Sequence, residues 1–270
     1  ILPISMTSAT LEGNVKLKNW DPELGNNVGD NVRVNGTGAS PGVLVSVYWD
    51  KVQAANKLTT DWANGAGRFE CNVTIPEDVV GDHWILGSDG VNTASAKFTI
   101  VPKITLKPSS GISGDTIKVN GTGFTDDVDI VGVAMRNATW SMNLTTSPST
   151  PHTSDLGSFT CTFTVPSKDP DDVPVVYGTY TVNATDEDLN VAEATFTIGP
   201  SITLSPEEGP SGTVVTVTGR GFKGKSGKYV TVLIYNTTLS KCNMKAPLDV
   251  NNTVRSDGTF TDKFIVPTLD

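Results

Sequence analysis

The sequence predicts an all-β protein built as a row of small two-sheet sandwiches joined into an extended rod. Three observations predict it. A block from Ile104 to Phe124 recurs without a gap from Ile202 to Phe222, and more loosely from Val15 to Gly38. Between these blocks apolar residues alternate with period two and are cut by Gly, Pro, Asn and Asp turns. Thr, Val, Ser, Gly and Asn are abundant, while Leu, Ala, Glu and Lys are sparse, which favours strands and turns over helices.

The elements follow in order. Residues 1–12 precede the first repeat; their alternation through Leu2, Ile4 and Met6 reads as a strand of a preceding domain or one donated to another copy. Residues 13–101 form the first sandwich, opening at Val15–Lys18 and running through Val32 and Val34 to Gly36-Thr37-Gly38, with Ala39 where the other copies have Phe. Residues 102–199 form the second and residues 200–270 the third. The second half of the unit recurs as Gly67–Pro76, Gly157–Pro166 and Gly258–Pro267, each an alternating strand closed by proline. Alternation puts Phe159, Cys161, Phe163 and Val165 on one face and threonines on the other, as in an antiparallel strand with one wet face. Each complete unit ends with a turn glycine, a strand such as Gly178–Asp186, and a last strand such as Ala194–Ile198. The junctions Ile100–Ile104 and Ile198–Ile202 each hold a proline and almost no slack, so neighbours are expected to stack semi-rigidly. The third unit stops at Asp270, short of two strands; the expectation is a piece of a longer chain or, alternatively, a unit completed by a strand from another chain.

Pro206, Gly209, Gly212-Thr213, Val215–Val217 and Gly219-Arg220-Gly221-Phe222 resemble the opening of an IPT/TIG-type immunoglobulin-like domain. The glycine pair is expected to let the chain turn with positive φ, and the aromatic to plug the end of the core. The resemblance covers nearly the whole chain and implies tandem immunoglobulin-like sandwiches, as in bacterial and archaeal surface-layer proteins and adhesins. It specifies fold better than function.

Composition excludes several classes. A net charge of −9 argues against a nucleic-acid partner. No stretch approaches a membrane span, and any leader or anchor is expected outside these residues. Cys71, Cys161 and Cys242 fall one in each unit, so no unit closes a disulfide of its own; Cys71 and Cys161 read as small core hydrophobes. Gly219–Ser226 fits a P-loop pattern, but a strand rather than a helix follows it. Gly38–Gly42 fits the pattern around a nucleophilic serine, but Pro41 cannot open the required helix, so Ser40 is a turn residue. His83 and His152 are the only histidines, in no zinc-ligand spacing. No catalytic residue and no cofactor is expected.

The remaining candidates are surface features. Asp126, Asp127 and Asp129, the run Asp169 to Asp172, and Asp186, Glu187 and Asp188 are oxygen-rich turns that could ligate structural calcium, although none has the Asp-x-Asp-x-Asp-Gly pattern. Asn35, Asn72, Asn120, Asn137, Asn143, Asn183, Asn236 and Asn251 begin glycosylation sequons, which fits an extracellular, cell-surface location. Trp84 alternates out of phase with His83 and Ile85 and is expected to face outward as a contact for sugar or protein, whereas Trp49 lies on the core phase. The leading expectation is a non-catalytic module of a surface-layer or stalk-like array, contacting other copies or other surface proteins. An adhesin or carbohydrate-binding module, a strand-donated filament and an accessory region of a secreted hydrolase are the alternatives.

Overall fold

The computed structural model describes residues 2–5, 27–222, 230, 232–236, 241–246 and 253–266. The first unit contains β1 (Leu2–Ser5), β2 (Asn31–Thr37), β3 (Leu44–Trp49), β4 (Lys57–Trp62), β5 (Arg68–Thr74), β6 (Gly81–Ser88) and β7 (Thr93–Ile100). The second contains β8 (Lys103–Lys107), β9 (Ser110–Gly111), β10 (Thr116–Thr122), β11 (Ile130–Arg136), β12 (Ser141–Asn143), β13 (Thr146–Ser147), β14 (Phe159–Thr164), β15 (Gly178–Asp186) and β16 (Val191–Ile198). The third contains β17 (Ser201–Ser205), β18 (Val214–Arg220), β19 (Val232–Asn236), β20 (Lys241–Ala246) and β21 (Phe260–Ile265). Among the described residues the only helical element is a 3-10 turn at Ala54–Asn56, and no helix is long and apolar enough to cross a membrane.

Each unit pairs its strands in two sheets. In the first the orders are β1-β2-β5 and β4-β3-β6-β7; in the second, β13-β14-β10-β8 and β12-β11-β15-β16-β9; in the third, β17-β18-β21 and β19-β20. The chain crosses from one sheet to the other and back, as from β2 to β3, β4 to β5 and β5 to β6 in the first unit, the layout of an immunoglobulin-like sandwich. Period-two burial supplies the core: β10 buries Ile117 and Val119, β14 Phe159, Cys161 and Phe163, and β15 Tyr180, Val182 and Ala184. The buried side chains form three separate clusters, one for each repeat of the sequence.

The glycine pair of the repeat works differently from the expectation. Only its second member has positive φ, at Gly38 (89°), Gly123 (69°) and Gly221 (68°). The first member sits in regular strand under an aromatic ring. A Cβ there would lie 2.0 Å from Phe69 at Gly36, 2.0 Å from Phe159 at Gly121 and 1.9 Å from Phe260 at Gly219. That ring packs edge-on against the aromatic after the second glycine, Phe124 on Phe159 at 5.2 Å and Phe222 on Phe260 at 5.0 Å. The two halves of the repeat are thus one packing device, closed by Phe124 N donating to Gly157 O and Phe222 N to Gly258 O.

The strand expected at Val15–Lys18 lies outside the described residues. The edge of β2 that β8 and β17 occupy in the other units, antiparallel, is taken by Leu2–Ser5 of the same chain in parallel register.

The junctions are two residues long, and the first is bonded across. Val80 N donates to Phe124 O at 3.1 Å, Asn27 Nδ2 donates to Val101 O at 3.1 Å, and Lys103 Nζ stands 3.7 Å from Asp30 Oδ1. Gly123 turns tightly against Ile100 and Val101, and Gly221 against Gly199, so the positive-φ glycine of the second and third repeats seats the preceding junction.

Candidate functional site

The densest cluster of chemically capable side chains lies at one end of the four-stranded sheet of the first unit. β6 carries His83 and Trp84 on opposite faces. His83 points inward and is 7% exposed; Trp84 points outward and is 46% exposed. The His83 ring stacks on Trp49, with centroids 4.9 Å apart and planes at 22°. Its Nε2 lies 2.9 Å from Val79 O and its Nδ1 lies 2.8 Å from Asp50 Oδ2. Asp78 Oδ2 is 3.6 Å from the same Nδ1.

The surrounding backbone holds both carboxylates. Asp50 follows the last residue of β3 with φ of 54°, a left-handed conformation uncommon outside glycine. Its N donates to Trp84 O at 2.7 Å and its Oδ1 accepts Trp84 N at 2.6 Å. Asp78, in the turn before β6, accepts the Trp49 indole N–H on Oδ2 at 2.8 Å and Val79 N on Oδ1 at 2.9 Å. Burial alone would pull the His83 pKa down; the Asp50 and Val79 hydrogen bonds and the nearby Asp78 and Asp50 charges outweigh it and hold it above the ordinary histidine value. Motif spacing missed this cluster because its members come from two strand ends and a turn.

The second unit has the same corner without the carboxylates. Gly178-Thr179-Tyr180 occupies the place of Gly81-Asp82-His83, and Tyr180 OH donates to Val176 O, four residues upstream, at 2.8 Å. This is the tyrosine corner of immunoglobulin-like sandwiches. His83 makes the equivalent bond to Val79 O.

Outside this cluster the expected candidates resolve individually. Asp186 is fully buried and accepts Thr125 N, Asn190 N and Asn190 Nδ2, which ties the β15–β16 turn to the end of the core. Asp89 does the same in the first unit, accepting Ser40 N and Oγ, Val91 N and Asn92 N. Ser40 is accordingly a turn residue. Asp127 and Asp129 do not converge on each other; they bind opposite nitrogens of the exposed His152, at 3.0 and 2.7 Å. Glu187 Oε2 stands 3.4 Å from Asp129 N, while Asp126, Glu187 and Asp188 are exposed. Asp169 accepts the backbone N–H groups of Asp171 and Val173.

Among the sequons, Asn72 and Asn143 are exposed, and Asn35, Asn120, Asn137 and Asn183 are half-buried. Asn120 Oδ1 accepts Thr160 Oγ1, and Asn137 Oδ1 caps its own turn through Thr139 N and Trp140 N. Asn236 ends β19 and Asn251 lies outside the described residues. Cys71 and Cys161 are free thiols; burial, helped at Cys71 by the Asp61 and Glu70 charges, pushes both up to about 11. Cys242 lies in β20 opposite Tyr235.

No family model and no curated protein matches the sequence, so the IPT/TIG resemblance rests on its own residues. Solved structures to which the chain is similar include a tetra-tandem repeat from the extending region of a large adhesion protein, with 14% identity and a TM-score of 0.27, covering 98% of this chain and 66% of that one. They also include invasin, a bacterial integrin-binding protein, with 14% identity and a TM-score of 0.25, covering 90% and 52%. A trypsin-activated alpha-2-macroglobulin from Escherichia coli has 10% identity and a TM-score of 0.28, covering 98% and 22%. The chain spans about two thirds or less of each.

Proposed function

We propose that this chain is a non-catalytic, extracellular spacing module, a segment of a surface-layer or stalk-type array whose units contact other copies or other surface proteins. One observation supports it above the rest: neighbouring sandwiches are joined by two residues, the first joint is held by hydrogen bonds across it, and a glycine seats each joint. Loose linkers would let the units tumble, whereas these joints transmit direction from one unit to the next. The net charge of −9 keeps copies apart in bulk solution and makes lateral contact depend on cations or salt. Because Leu2–Ser5 lie on β2 of their own chain, assembly by donating that strand is not part of this reading.

Small-angle scattering of the intact chain tests it. The expected particle is elongated, with a maximum dimension that changes when a flexible Gly-Ser insert is placed between Val101 and Pro102. A compact particle, or one whose profile ignores the insert, refutes a rigid spacer.

A second reading is favoured by the outer face of the β4-β3-β6-β7 sheet. Trp62 is 65% exposed and pairs in register with Leu44, itself 40% exposed; Trp84 emerges two strands away on the same face. Flat exposed indoles on a sheet suit sugar rings or a protein surface. Glycan-array binding abolished by Trp62→Ala with Trp84→Ala would support an adhesin; equal binding by the double variant would remove that role from the face.

A further inference from the structure

We propose that Asp50, Asp78 and His83 form a binding site for a divalent transition-metal cation of the zinc class. The three ligand atoms lie within 4.8 Å of one another, the one such group of His, Cys, Asp and Glu among the described residues. His83 Nδ1 is 2.8 Å from Asp50 Oδ2 and 3.6 Å from Asp78 Oδ2. Tetrahedral zinc with bonds of about 2.0 Å needs ligand-to-ligand edges of about 3.3 Å, between those two distances.

The hydrogen bonds prepare the ring for that role. Val79 O can only accept, so Nε2 carries a proton and a neutral ring turns its Nδ1 lone pair toward two carboxylate oxygens. A backbone carbonyl on the far nitrogen is the usual partner of a metal-bound histidine. Trp49 Nε1, Val79 N and Trp84 N hold the carboxylates in the same way. The Asp50 and Asp78 carboxylates bring two negative charges together in a half-buried pocket. A divalent cation with a neutral ring balances that charge. The nitrogen ligand selects zinc, copper, nickel or cobalt over calcium and magnesium, which prefer oxygen alone.

The second unit shows that the fold does not require the cluster. Its corner is closed by Tyr180, with Val175 and Arg136 at the places of Asp78 and Asp50. His152 gives the contrasting case, since its two aspartates bind opposite nitrogens and do not converge on one point. The Asp78–Val80 turn also reaches the next unit through Val80 N and Phe124 O, so a bound ion would stiffen the first junction.

Isothermal titration of the chelator-treated, intact chain with zinc chloride, paired with its thermal transition, tests the site. The expected result is one zinc per chain with a raised melting temperature. Affinity falls at least tenfold in Asp78→Asn and is lost in His83→Tyr, a variant that keeps the corner hydrogen bond as the second unit does. It is unchanged in His152→Gln. Absence of heat and of any thermal shift up to about 1 mM zinc overturns the proposal. Zinc binding that survives His83→Tyr, or that disappears in His152→Gln, overturns it too.

Discussion

Gly121→Ala tests whether the repeat's first glycine exists to admit an aromatic ring. The new Cβ would lie 2.0 Å from Phe159 Cε1 and 2.5 Å from its Cδ1. Carbon atoms rest at about 3.5 Å, so the ring must retreat by about 1.5 Å. It has nowhere to go: Phe159 is 5% exposed and meets the fully buried Phe124 edge-on. Overpacking of this kind costs about 1–3 kcal/mol, and a displacement this large belongs at the upper end. Because Gly121 is not at positive φ, alanine brings no backbone strain and recovers up to about 1 kcal/mol through the unfolded chain. The net expectation is a loss of about 2 kcal/mol, or a fall of about 10 °C in the melting of the second unit, read by calorimetry on the intact chain. Phe159→Ala on the Gly121→Ala background should cost much less than on the wild type, since the two changes remove opposite sides of one contact. A melting temperature unchanged by Gly121→Ala, or strictly additive losses, refutes the packing argument.

Two further predictions come from titratable groups. Desolvation opposes the Asp89 charge, but the Asn92, Ser40 and Val91 backbone N–H donors outweigh it and hold the carboxyl far below the usual carboxylate range. A depressed folded pKa stabilises above the unfolded value of about 3.9 and loses that contribution as pH falls through the folded value. Asp89→Ala should therefore lower stability at neutral pH, with a deficit that shrinks below about pH 4; a deficit independent of pH in acid unfolding contradicts this. The Cys71 and Cys161 thiols, pushed up to about 11, should resist a disulfide exchange reagent at pH 8 in the native chain and react after denaturation. Rapid modification of both native thiols would show that they are not core residues.

The sequence was most informative where one local rule decides. Strand alternation, proline stops and turn glycines are each set within a few residues, so β10, β14 and β16 lie where the pattern puts them. Long-range geometry was less legible. Gly121 reads as a turn glycine next to Gly123, and only the partner strand β14 shows that a ring needs its place. Asp186 reads as surface charge in an acidic run, yet its neighbours Glu187 and Asp188 are exposed while it is buried against Thr125, a residue far away in sequence. The occupant of the β2 edge is Leu2–Ser5, a segment that alternation marks as a strand without saying which strand it pairs with.

The cluster at His83 marks where comparison inside one chain does more than motif search. Sequence spacing sees a lone histidine, and a lone buried histidine is ordinarily a satisfied core residue. Superposing the repeats changes the question, because Tyr180 already shows what the corner needs, one donor to the carbonyl four residues upstream. A tyrosine supplies that donor and adds no charge. The first unit instead carries an imidazole, two carboxylates and a left-handed Asp50, a combination that stores backbone strain and unbalanced charge at one point. Closing the corner does not require such a set, as Tyr180 shows; a cation bound there, beside the turn that touches the next unit, would use all of it.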